Sequence, residues 1–145
     1  MQLLSQKTWP ARLEFLYESM DFVSSCARAL GFNANRISEL ELVMEEVLVN
    51  IVKYAYRGKE PGEVTISCSE DGGNLVMDVV DSGVPFDLLA ASDPDITAGV
   101  DERPVGGLGI YLIKKLMDKV KYRREEGRNR LTLVLFKSGK TSPLS

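Results

Sequence analysis

Three short groups of residues in this chain could do chemistry. The first is Glu46 with Asn50. Four residues apart on a helix, they lie about 40° apart around the axis, one turn from each other. A carboxylate and an amide oxygen placed this way suit a magnesium–phosphate centre, because Mg2+ takes oxygen ligands and keeps several waters. The Glu46 carboxylate could instead accept a proton from an attacking hydroxyl or water. The second group is Asp81-Ser82-Gly83. Its carboxylate could accept the exocyclic amino group of adenine, and Gly83 would let the backbone approach a ligand closely. The third is Gly106-Gly107-Leu108-Gly109, which opens an amphipathic helix. Glycine N–H groups and the partial positive charge of a helix N-terminus together suit phosphates.

Each group also has a plainer reading. Glu39, Leu42, Glu46, Val49, Asn50 and Lys53 share a helix face roughly opposite the apolar stripe, as a solvated face would. An Asp before Gly is an ordinary turn former, and a glycine cluster before a helix is an ordinary turn. Lys53, Arg57 and Arg103 are candidate phosphate contacts, Arg103 lying just ahead of the glycine cluster, yet exposed Lys and Arg are common. Phe86 reads as a packing anchor rather than a partner for a base.

The elements that would hold these groups are legible from periodicity. Met1 to Lys7 is a weak first strand. Pro10 stands where helices often begin. Ala11 to Leu30 carries Leu13, Leu16, Tyr17, Met20, Val23, Ala27 and Leu30 at helical spacing, and Gly31 stops it. Asn33 or Asn35 caps a second helix running to about Tyr56, with its stripe at Ile37, Leu40, Met44, Val47, Leu48, Ile51 and Ala55. Val64–Ser69 and Leu75–Val80 read as a hairpin around Asp71-Gly72-Gly73-Asn74. From Asp81 to Val105 there is no strong period, and a loop of that length in a compact domain is usually functional. Leu108 to about Lys119 is a third helix. Val120–Glu125 and Arg130–Phe136 form a second hairpin turning near Glu126-Gly127, and residues 138–145 are expected to be a flexible tail. Three helices and a mostly antiparallel sheet predict an α+β fold, a two-layer α/β sandwich.

Composition narrows the classes. The 145 residues fit one domain. A net charge of −3 provides no basic footprint for nucleic acid. No apolar run approaches the roughly 18 residues of a membrane helix, and Met1 to Pro10 does not read as a signal peptide. Cys26 and Cys68 have no metal spacing and read as reduced cytosolic thiols. Histidine is absent, so catalysis would fall to carboxylates, Lys, Ser/Thr or a bound metal.

Taken in order on helix, strand end and loop-to-helix junction, the three groups are jointly specific. Here the sequence resembles the GHKL ATP-binding superfamily, with its Bergerat fold, which includes gyrase, the heat-shock chaperone, histidine kinases and mismatch-repair ATPases. Glu46-Val-Leu-Val-Asn50, Asp81-Ser-Gly83 and Gly106-Gly-Leu-Gly109 look like its N, G1 and G2 boxes. The likeness is greatest to the bacterial anti-sigma-factor serine/threonine kinases. It is carried by Glu46 to Tyr56, Asp81-Ser-Gly-Val-Pro-Phe-Asp87 and Arg103 to Asp118, and it covers about Arg12 to Lys137. The resemblance implies one ATP-binding kinase domain over residues 1–145, with an ATP lid from about 82 to 106. It implies Mg2+ on Asn50, Glu46 as general base toward a Ser or Thr, and Asp81 on the adenine amino group. Gly83 would lie beneath the nucleotide, and Gly107 and Gly109 would form a hinge and phosphate cradle. Thr132 would support the adenine aspartate. The implied partners are a small antagonist protein that is phosphorylated, a sigma factor that is sequestered, and a second copy of the chain in a homodimer. The setting would be cytoplasmic, with no direct binding of nucleic acid or membrane. Two positions depart from the family pattern: Tyr54 stands in place of a common His, and Pro85 in place of a second Gly.

Other functions compete with the kinase. A non-catalytic, ATP-gated binding module would use the same pocket to order the lid and present a partner surface. A fragment of a gyrase-like or histidine-kinase machine is disfavoured by length and by the missing His. An unrelated α/β binding domain would fail to bind ATP analogues with magnesium.

Overall fold

The computed structural model describes residues 1–56, 62–90 and 107–137, and at Gly107 and Leu108 the backbone alone. Its framework is a five-stranded antiparallel sheet in the order β1-β2-β3-β5-β4. The strands are β1 (Gln2–Pro10), β2 (Glu63–Asp71), β3 (Asn74–Asp81), β4 (Lys119–Glu125) and β5 (Arg128–Leu135). Three helices, α1 (Leu16–Ala29), α2 (Ala34–Asn50) and α3 (Gly107–Leu116), complete the expected α+β sandwich.

Alternation builds the sheet. Val64, Ile66 and Cys68, then Leu75, Met77 and Val79, then Leu131, Leu133 and Leu135 are buried, while their neighbours stay half-exposed. The two hairpins turn where glycines permit positive φ. Gly72 and Gly73 sit at φ 61° and 88°, and Glu126 and Gly127 at 53° and 74°. Two consecutive residues of positive φ match the twist of the flanking strands. On the helical side, Val23, Leu40, Val43, Met44, Val47 and Ile113 pack into the same core. Each such side chain contributes about 1.5–3 kcal/mol by leaving water.

The N-terminal segment corrects the sequence reading. β1 runs to Pro10, because Thr8, Trp9 and Pro10 go on pairing with Thr65, Val64 and Glu63. Pro10 does not start a helix; it ends an edge strand, where a missing N–H is tolerated. The first helix is correspondingly shorter. A 3-10 turn at Leu13–Phe15 leads into α1 at Leu16, and Leu13 and Tyr17 face solvent instead of the core. Asn33 caps α2 by accepting the Arg36 N–H at 2.9 Å. The helical path does reach Ala55 as expected, but Ile51–Ala55 is wound as a π-turn. Single π-turns widen a helix and frequently mark functional sites. No helix among the described residues is long and apolar enough to cross a membrane.

One ionic clamp holds α3 against the rest. Arg36 donates to the Leu116 carbonyl at 2.9 Å and to Asp118 Oδ2 at 2.8 Å, and the same Oδ2 accepts the Phe136 N–H at 2.7 Å. The Asp118 side chain is only 2% exposed; its removal orphans the Phe136 N–H and leaves Arg36 with Glu39, at 3.2 Å, as its remaining carboxylate. Asp118→Ala is expected to cost about 1.5–3 kcal/mol in urea unfolding, whereas a loss under about 0.5 kcal/mol would mean that the clamp is not buried in solution.

Candidate functional site

The site forms where α2, the end of β3 and the start of α3 converge. Asp81 is the last residue of β3 and shares the inward face of Met77 and Val79, so its carboxylate is buried beside the core. Oδ1 accepts the Gly83 N–H and Asn129 Nδ2, each at 2.9 Å. Oδ2 has no hydrogen-bond partner among the described residues. Burial pushes the Asp81 carboxyl above its usual range, against the opposing pull of Asn129, the Gly83 N–H and the Arg124 charge. A buried carboxylate with one oxygen left open is suited to accept an N–H from a ligand.

Asn129 organises this end of the sheet. It faces Asp81 directly across the β3–β5 ladder. Besides Asp81, its Nδ2 donates to the Val84 carbonyl at 2.9 Å. Its Oδ1 accepts the Tyr122 hydroxyl at 2.6 Å, the Phe86 N–H at 3.2 Å and Arg124 Nη1 at 3.2 Å. The expected support from Thr132 is therefore corrected. Thr132 is three residues from Asn129 and so projects from the other sheet face. Its hydroxyl donates to Asp78 at 2.5 Å, on the side away from Asp81. Thr132→Val is expected to leave nucleotide affinity within about twofold, while Asn129→Ala weakens it by about tenfold or more through loss of Asp81 positioning. Titration of both variants with a fluorescent ATP analogue checks this.

Gly83 is fixed by packing. A side chain there would run into the Ala55 carbonyl carbon at 2.7 Å and the Ala55 Cβ at 2.8 Å. The Val84 N–H donates to the Ala55 carbonyl at 2.9 Å, and Arg124 donates to the Gly83 carbonyl at 2.7 Å. The Tyr56 hydroxyl accepts the Ser82 N–H at 2.8 Å and donates to the Glu63 carbonyl at 2.7 Å. The end of β3 is thus bolted to the π-turn.

Asn50, placed by its spacing on a face that could have been solvated, is instead buried at 4% exposure. Its Nδ2 donates to the Glu46 carbonyl at 2.6 Å, which leaves Oδ1 free to accept or ligate. Asn50 and Asp81 line one pocket with Val79, Phe86, Leu88 and Leu131. The cavity there has a volume of about 20 Å3. That is room for about one water, and Phe86 and Leu88 form part of the lining. Phe86 stacks on Tyr54, ring centroids 5.4 Å apart. It is a packing anchor, as expected. Asp81 thus presents a buried carboxylate within an apolar lining.

Glu46 is half-buried on α2, and its carboxylate abuts Gly109 in the first turn of α3. Gly107 and Gly109 both fall in that turn. Lys53 is exposed on the π-turn. Arg57, Arg103 and Gly106, and the lid beyond residue 90, lie outside the described residues. The structure therefore brings Glu46, Asn50, Asp81, Gly83 and Gly109 to one region and leaves Thr132 apart. Asn129, Tyr122 and Arg124 were not foreseen. The signal for Asn129 was available in principle, since the Glu126-Gly127 turn sets which residues of β5 face the core, but the pairing of β5 with β3 is non-local.

A helical layer lies on an antiparallel sheet, a carboxylate and an amide share one pocket, and the first turn of α3 abuts Glu46 one turn away. Residues 9–135 match the model of the histidine kinase-like ATPase domain, and the chain belongs to that family. The chain is similar to the serine-protein kinase RsbW of Listeria monocytogenes, 33% identical over 122 residues that cover 81% of this chain and 78% of that protein. It is similar also to the serine-protein kinase RsbW of Bacillus cereus, 34% identical over 132 residues, 88% of this chain and 80% of that protein. Among solved structures, the RsbU and RsbW domains of a Mycobacterium tuberculosis protein align with a TM-score of 0.61. That alignment covers 90% of this chain and 32% of the longer one at 14% identity, and it bears on the fold alone.

Proposed function

We propose that this chain is an ATP-dependent serine/threonine protein kinase and anti-sigma factor. It phosphorylates a small antagonist protein and sequesters a sigma factor, acting in the cytoplasm as a homodimer. The observation that carries the nucleotide reading is the buried Asp81, with one oxygen held by Asn129 and Gly83 and the other open to the pocket. The acceptor reading is supported by Glu46 beside the first turn of α3 and by relatives named serine-protein kinases. The sigma-factor and antagonist roles rest on the motif resemblance.

In this reading Asp81 Oδ2 receives the adenine amino group. Asn50 Oδ1 would hold Mg2+, which when bound neutralises phosphate charge. Backbone N–H groups of Gly107, Leu108 and Gly109 face the phosphates from the helix N-terminus, with Gly106, Lys53 and Arg103 as further contacts. Glu46 takes the proton from the acceptor hydroxyl as its oxygen bonds to the γ-phosphorus and ADP leaves. Positioning and electrostatics carry most of such a transfer.

The competing reading, an ATP-gated module without catalysis, predicts different behaviour of Glu46→Ala. A kinase with this substitution keeps ATP and the sigma factor but adds phosphate to the antagonist about 10²–10⁴-fold more slowly, as read by quantitative mass spectrometry. Equal phosphorylation of the antagonist by Glu46→Ala and the parent chain would sink the assignment.

A further inference from the structure

Gly109 sits in the first turn of α3, and its φ is not among the positive values that demand glycine. Any residue could adopt that backbone, and nearly any would favour the helix more, since glycine is the poorest helix former after proline. Helix geometry gives no reason for glycine here, and the surroundings offer one. A first side-chain carbon at 109 would lie 2.8 Å from the Glu46 Cδ and 3.3 Å from its Cγ, with the carboxylate oxygen Oε2 closer still. The backbone of that turn is tied separately, since the Glu46 carbonyl accepts Asn50 Nδ2 at 2.6 Å.

We propose that Gly109 is a positioning residue for Glu46: its missing side chain leaves the seat in which the Glu46 carboxylate meets the acceptor hydroxyl. This goes beyond a glycine that merely opens a phosphate cradle, and it rests on the assignment of Glu46 as the base. The colliding atom belongs to the far end of a flexible side chain, so alanine at 109 pushes the carboxylate aside without unfolding the helix. A displacement of about 1 Å at a reacting group can cost about 10²-fold in rate.

The test is a double-mutant cycle on the full chain with Gly109→Ala and Glu46→Ala, reading kcat for phosphoryl transfer, KM for ATP, and the Kd of a fluorescent ATP analogue. Circular dichroism verifies that α3 persists. The expected result is a kcat about 10²-fold lower for Gly109→Ala, with KM and Kd for nucleotide within about threefold of the parent. On the Glu46→Ala background, Gly109→Ala should change none of the three further. Loss of nucleotide affinity by tenfold or more on both backgrounds would return Gly109 to the cradle, and an unchanged kcat would remove its positioning role; either overturns the proposal. Full transfer by Glu46→Ala alone would sink the base assignment itself, a separate outcome.

Discussion

Glu46→Gln should transfer phosphate about 10²–10⁴-fold more slowly than the parent chain, the range that a positioned general base contributes. The substitution keeps the volume of the side chain and its seat against Gly109, and it does not touch the Asn50 bond, which is to the Glu46 carbonyl. Binding and chemistry should therefore separate. Nucleotide affinity should stay near that of the parent while kcat falls, the pattern of an interaction made only in the transition state. A parallel fall in affinity would instead place Glu46 in nucleotide binding.

Asp81→Asn should weaken adenine nucleotide binding by about 10- to 150-fold, the equivalent of losing a hydrogen bond to a charged acceptor. The fold should not suffer with it. An amide oxygen at 81 can still accept from Gly83 and Asn129, and the buried negative charge is gone. The pH dependence gives an independent check. The Asp81 carboxyl is raised by burial from an ordinary value near 3.8. A raised folded value means that the contribution of Asp81 to stability is fully present below that ordinary value and is lost as pH rises through the folded one. The parent chain should gain stability relative to Asp81→Asn as pH falls toward about 4, and lose that advantage at neutral pH. The site thus holds a charge that costs the fold and serves the ligand. Denaturant unfolding at several pH values reads this difference, and a parent chain more stable than the variant at neutral pH but not at low pH would contradict it.

Local pattern made most of the architecture readable. The Gly72-Gly73 and Glu126-Gly127 turns, the alternation of β2, β3 and β5, and the Asn33 cap are short-range signals, and each appears where its chemistry requires. The N-terminus was harder because Thr8 to Pro10 is held by pairing with Glu63 to Thr65, more than fifty residues away. No periodicity within the first ten residues could reveal a partner so distant. The candidate site divides the same way. Glu46, Asn50 and Asp81 stand out by residue type and spacing, but the residue that braces Asp81 depends on strand register. Thr132 was expected to brace Asp81, but β5 laid against β3 sets Asn129 opposite Asp81 and sends Thr132, an odd number of residues on, to the other face. The reason for Gly109 was hidden for a related cause, since its neighbour Glu46 comes from a different helix.

The central claim is that the chain transfers phosphate from ATP to a protein hydroxyl through Glu46. It is tested most directly by a single-turnover assay with γ-labelled ATP, Mg2+ and the antagonist protein, comparing the parent chain and Glu46→Gln with both saturated by nucleotide. Label is expected on a Ser or Thr of the antagonist with the parent chain, and labelling at least about 10²-fold slower with the variant. Bound ATP that never labels the antagonist, or equal labelling by both proteins, would contradict it.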